Sequence, residues 1–144
     1  VCSSDLLSKI DDTIATVFRQ VSKRKPHYED SIRILELAAE DRVALFIAES
    51  SLANLVYLSF DIYKLNDAEK RLLDFISACT IISGGKAVIT KAISSPFRDK
   101  EDALQYYTTL KNEADYFITR NIRDYKKASK RLPVMTPIEF MGSL

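Results

Sequence analysis

This chain has little of the material from which most cofactor and nucleophile motifs are built. Its 144 residues include one histidine, two cysteines, three glycines and no tryptophan. No Cys/His spacing points to zinc, and no Ser-His-Asp set can be read around the lone His27. Gly84-Gly85 matches neither GxxxxGK[ST] nor GxGxxG, which argues against a nucleotide-dependent enzyme. No apolar run approaches the ~18 residues of a membrane span. The formal net charge is +1, so nothing pulls the whole molecule toward a polyanion and any such binding must come from local patches. No secretory pattern is present, and a reducing cytoplasm is the expected compartment. Cys79, inside an apolar run, reads as a small core hydrophobe.

What the chain has is an ordinary globular balance, 47% hydrophobic and 28% charged, in a length that suits one domain with a proper core. Apolar periodicity predicts helices over 27–40 (Tyr28, Ile32, Leu35 and Ala39 inward), 51–62 (capped by Ser50 or Ser51; Leu52, Leu55, Val56 and Phe60 inward), 67–75 (capped by Asn66; Leu72, Leu73 and Ile76 apolar), 86–94 and 99–112. Short apolar runs predict strands over 42–48, 79–83, 116–119 and 133–135. Partial helix is expected over 122–130, and Pro137 at a first helical position starts a closing turn. Residues 6–22 are ambiguous between a helix carrying Ile10, Ile14, Val17, Phe18 and Val21 and a strand over 7–10 ending at Asp11-Asp12. Alternating strands and helices predict a three-layer α/β/α sandwich on a small parallel sheet. The opening Val1–Leu6 resembles a translated sequencing adapter. On that reading residues 1–6 carry no functional weight, and 1–22 stand apart, as an uncertain or non-native N-terminus, from a domain over 23–144.

Candidate chemistry rests on carboxylates. Asp99, Glu101 and Asp102 open the helix over 99–112, and Asp124 follows the strand ending at Thr119-Arg120-Asn121. In a parallel sheet, helix starts and strand ends meet at the edge where ligands bind, and gathered carboxylates suit magnesium or manganese. Each residue also has a plain structural reading. Acids in a first helical turn complement the helix dipole by about 0.3–1 kcal/mol; Asp99 and Asn121 fit N-caps; Asn54 fits a mid-helix polar residue. Arg120, Arg123, Lys126, Lys127, Lys130 and Arg131 form a basic stretch. It reads either as a solvated face or as phosphate contacts rimming an acidic centre.

In order and spacing, these segments resemble the PIN domain, the fold of VapC-type toxins and related ribonucleases. The resemblance covers residues 23–144. It is carried by Lys-Arg-Lys-Pro-His-Tyr-Glu-Asp-Ser from Lys23, Ser50-Ser-Leu-Ala-Asn-Leu, Asp99-Lys-Glu-Asp-Ala-Leu-Gln, Ala114-Asp-Tyr-Phe-Ile-Thr-Arg-Asn, and Leu132-Pro-Val-Met-Thr-Pro-Ile-Glu-Phe. It implies a Mg2+- or Mn2+-dependent endoribonuclease, the toxin of a bacterial toxin–antitoxin-like pair, with an antitoxin partner and a homodimeric state. The implied catalytic acids are Asp12, Asp99, Asp102 and Asp124, with Asp12, Asp102 and Asp124 on the metal. Asn54, Thr119 and Asn121 are the implied supporting polar groups, and Arg120, Arg123 and Lys126 contact RNA phosphates. Two amides, Asn54 and Asn121, stand where many members carry acids, and Ile14 replaces the polar residue expected after Asp12-Thr13. The alternative is therefore a catalytically impaired RNA- or protein-binding module. A structure-specific DNA nuclease finds no support, because no clamp segments for branched DNA are present.

Overall fold

The structure, a computed structural model, describes residues 2–3, 28–62, 64, 66–119, 122–126 and 130–144. Five parallel strands form one sheet in the order β3-β2-β1-β4-β5. They are β1 (Cys2–Ser3), β2 (Phe46–Ala48), β3 (Thr80–Ile82), β4 (Phe117–Ile118) and β5 (Val134–Met135). The sheet's centre is a departure from expectation. Cys2 and Ser3, in the segment given no weight on sequence grounds, pair with Phe46 on one side and with Phe117 and Ile118 on the other. The proposed strand over 7–10 lies outside the described residues.

Among the described residues, α-helices α1 (Tyr28–Ala39), α2 (Glu49–Tyr57), α3 (Ala68–Ser77), α4 (Gly85–Ser94) and α5 (Lys100–Lys111) lie between the strands, and α6 (Pro137–Ser143) follows the last one. Their layers follow from the alternation of side chains along β4. Ile118 joins a core with Ile34 and Ala38 of α1, Ile47 of β2, Leu55 of α2, Leu72 and Phe75 of α3, and Phe140 of α6. Its neighbour Phe117 joins a second core with Ala92 of α4, Ala103 and Tyr106 of α5, and Phe97, Tyr125 and Leu132. Successive strand residues point to opposite faces, so helices cover both faces. The molecule has the α/β/α layering expected from its alternating pattern.

Several local expectations are corrected. α2 follows β2 without a loop, so its N-cap is Ala48 and neither Ser50 nor Ser51 caps it. A π-turn over Leu58–Ile62 then ends the 3.6-residue period. The buried stripe is Ser51, Leu55 and Ser59, while Val56 and Phe60 face outward. In α3 the N-cap position is Asp67, left-handed at φ 57° and without a side-chain cap bond, rather than Asn66. Leu73 is exposed beside the buried Ala68, Leu72 and Phe75. In α1, among the described side chains, Ile34, Leu37 and Ala38 are buried, Leu35 is half-buried and Ala39 is exposed, while the side chains of Tyr28 and Ile32 lie outside the described residues. Gly84-Gly85 is a strand-to-helix junction. A Cβ on Gly84 would lie 2.5 Å from Val88 Cβ, and Gly85 has φ +74°.

Candidate active site

Asp99 is the N-cap of α5, where its Oδ1 accepts hydrogen bonds from Glu101 N at 2.9 Å and Asp102 N at 3.3 Å. The capping role read from the sequence is therefore its observed role. Glu101 faces solvent, and Asp102 is half-buried one residue further into the first turn. Pro96 interrupts the chain before this turn, and Lys100 Nζ closes it by donating to Ser95 O at 2.8 Å.

Contacts at its two ends define how α5 lies. At its carboxyl end, Lys111 Nζ donates to Gly84 O at 2.7 Å and Asn112 Nδ2 donates to Ser83 O at 3.2 Å, just past β3. At its amino end, Phe97 meets Tyr125 with ring centroids 5.6 Å apart. Tyr125 closes the 3-10 turn Ile122–Tyr125 beyond β4. The helix thus runs from the β4 side of the sheet to the β3 side. The segment leading into its acid-bearing first turn thereby touches the turn that carries Asp124, through the Phe97 and Tyr125 rings.

Asp124, Arg123 and Lys126 are exposed on or next to that turn. Thr119, immediately after β4, is 2% exposed, and its N–H donates to Met135 O at 2.9 Å. Asn54 sits on α2 with its side chain in solvent. Asp12, Arg120 and Asn121 lie outside the described residues. The structure therefore places Asp99, Asp102, Thr119, Arg123, Asp124 and Lys126 on adjoining elements, and Asn54 on a separate helix. Among the described residues, no group of three His, Cys, Asp or Glu side chains could hold a metal ion. A recess of about 540 Å³ opens at the carboxyl ends of β2 and β3 between Glu49, Ser83, Gly84, Leu104 and Thr108.

A protein-family model described as the PIN domain matches residues 12–123. The chain belongs to the PIN-domain family. PIN domains are generally divalent-metal-dependent nucleases acting on nucleic acid. No curated protein matches the chain. The matched span begins at Asp12, takes in Asp99 and Asp102, and ends one residue before Asp124. Among the described residues, no helix of this PIN domain is long and apolar enough to cross a membrane.

By donor type, the carboxylates of Asp102 and Asp124 are oxygen ligands of the kind a hard divalent ion takes, although the described residues alone do not assemble a metal site. Two residues near them were not singled out by sequence patterning, Phe97 and Tyr125. Tyr125 sits among Arg123, Asp124 and Lys126, which suggests a solvated stretch, yet it is 4% exposed. A lone aromatic within a charged run was the available signal of one-sided burial.

Proposed function

We propose that this PIN domain is a Mg2+- or Mn2+-dependent endoribonuclease and the toxin of a toxin–antitoxin-like pair. The observation that carries this reading is the family match over 112 residues (123 − 12 + 1) together with the adjoining placement of the Asp102 and Asp124 segments. Asp102 and Asp124 would hold the cation, with Asp12 as the third carboxylate. Bound there, the ion supplies an acidified water and neutralises charge on the scissile phosphate. Arg123 and Lys126, exposed on the same turn, attract and orient the RNA backbone. Thr119 fixes the end of β4 through its backbone bond to Met135.

The test is cleavage of a fluorescent single-stranded RNA in Mn2+ by the wild type and by Asp102→Asn. Asp102→Asn is expected to keep the fold and lose about 100-fold or more in rate, since even residues that only support a metal ligand cost 10–100-fold. Equal rates for the two proteins would sink the reading.

A second reading, an RNA- or protein-binding module without turnover, is favoured by Asn54, an amide in solvent at a position where many members carry an acid. It predicts RNA retention on a filter with no metal-dependent cleavage.

A further inference from the structure

We propose that Phe97 and Tyr125 are positioning residues, an aromatic bridge that holds the acid-bearing first turn of α5 against the Asp124 turn. The inference rests on the metal-nuclease reading for its functional meaning, but its structural content stands separately. Phe97 is 3% exposed, and its ring lies 5.6 Å from Tyr106, 5.7 Å from Tyr107 and 5.6 Å from Tyr125, the last two edge-to-face. Tyr125 also meets Phe117 at 4.9 Å and Tyr106 at 6.1 Å. Each ring is thus fixed by three others.

Phe97 lies two residues before the Asp99 cap, whose carboxylate orders the Glu101 and Asp102 amides. Tyr125 directly follows Asp124. In the short turn Ile122–Tyr125, Tyr125 is the buried residue, Ile122 is half-buried, and Arg123 and Asp124 are exposed. The turn is therefore anchored through its last ring. Two carboxylates on different elements share a cation only if those elements keep a fixed separation, and small displacements of such groups are costly. Edge-to-face rings fix orientation as well as volume, because their quadrupoles favour particular angles. An aliphatic side chain would fill the space without that preference.

The test compares Phe97→Leu with Phe140→Leu in the full chain. Phe140 belongs to the opposite core, is 2% exposed and meets Tyr116 at 5.8 Å, so it controls for lost ring packing as such. Mn2+ affinity is read from the spectrum of the free aqua ion. Amide hydrogen exchange is read over 99–102 and 122–125. Phe97→Leu is expected to weaken Mn2+ binding by about 10-fold or more and to speed exchange in both segments together. Phe140→Leu leaves both readouts near wild type, and Tyr125→Phe, which keeps the ring, does the same. Equal effects of Phe97→Leu and Phe140→Leu on Mn2+ affinity would overturn the proposal, as would faster exchange in one segment alone. If Phe97→Leu does not fold, Tyr125→Leu makes the same test from the other side. A wild type that binds no Mn2+ refutes the metal reading, and joint or separate exchange in the two segments then decides the bridge without it.

Discussion

The two faces of the sheet are packed with different materials. One face is mainly aliphatic: Ile34, Leu45, Ile47, Leu55, Leu72 and Ile118, with two buried rings, Phe75 and Phe140, among them. The other is dominated by rings: Phe97, Tyr106, Phe117 and Tyr125, with Tyr107 packed against them. Both bury apolar surface, at roughly 25 cal/mol per Å². Aliphatic packing tolerates substitution of similar volume, whereas a ring cluster imposes mutual angles. The candidate acids border the ring side, next to Phe97 and Tyr125 in sequence, so the face with orientational order is also the face bearing the proposed site. Stability and site geometry are then separable by mutation.

Phe117 and Ile118 give the largest expected test of that separation, since they are neighbours on β4 that enter opposite cores. Phe117→Ala should cost about 3–5 kcal/mol and Ile118→Ala about 2–5 kcal/mol, measured as urea midpoints. Milder pairs then sort the functions. Phe117→Leu is expected to speed amide exchange over 122–125, because Tyr125 loses its partner at 4.9 Å. Ile118→Val, at about 0.5–1.5 kcal/mol, should leave that segment unchanged. Faster exchange over 122–125 in both variants would mean that the two faces are not distinct.

The two best-formed helix caps sharpen the comparison at a smaller scale. Thr136 caps α6 in a reciprocal box, its Oγ1 accepting from Glu139 N at 3.2 Å while Glu139 Oε2 accepts from Thr136 N at 3.1 Å. Asp99 caps α5. Alanine at either position should cost about 1 kcal/mol. Asp99→Ser keeps a capping oxygen and removes the charge, so stability should hold within a few tenths of a kcal/mol. If Asp99 also serves the cation, Asp99→Ser weakens Mn2+ binding where Thr136→Ala does not. Unchanged Mn2+ affinity in Asp99→Ser would reduce Asp99 to a cap.

Features with local causes were legible in the sequence. The start of α5 at Asp99, Pro137 at the head of α6, and the short runs that became β4 and β5 depend on residues within a turn of one another. The parallel α/β character followed from alternation along the whole chain. What escaped was set by distant partners. A two-residue strand has no period, so nothing in Cys2-Ser3 marks it as the sheet's centre; its pairing with Phe46 and Phe117 does. A 3.6-residue period carried through 51–62 puts Phe60 inward, and the π-turn over Leu58–Ile62 breaks that period. The site was half legible. Carboxylates announce themselves by type, whereas the contact between Phe97 and Tyr125 acquires meaning only once the 27 residues between them have folded back.

The smallest expected effect lies on the aliphatic side, outside its core. Leu73 is 59% exposed and, with Phe60, lines a shallow cleft of about 620 Å³ rimmed by Asp67, Glu69, Lys70 and Asp74. Its side chain loses little water contact on folding, so Leu73→Lys should change the urea midpoint by less than the equivalent of about 0.5 kcal/mol. Phe75, two residues along the same helix and 1% exposed, should cost about 3–5 kcal/mol as alanine. The contrast is between the faces of one helix rather than of the sheet, and it depends on Leu73 staying uncovered in solution. A homodimer that used this cleft would bury Leu73, and its stability would then depend on protein concentration. Midpoints for wild type and Leu73→Lys at two concentrations tenfold apart therefore decide the matter. Coincident values at both concentrations keep Leu73 a surface residue of the monomer. A wild-type midpoint that rises with concentration, while that of Leu73→Lys does not, would make this side of the molecule an interface.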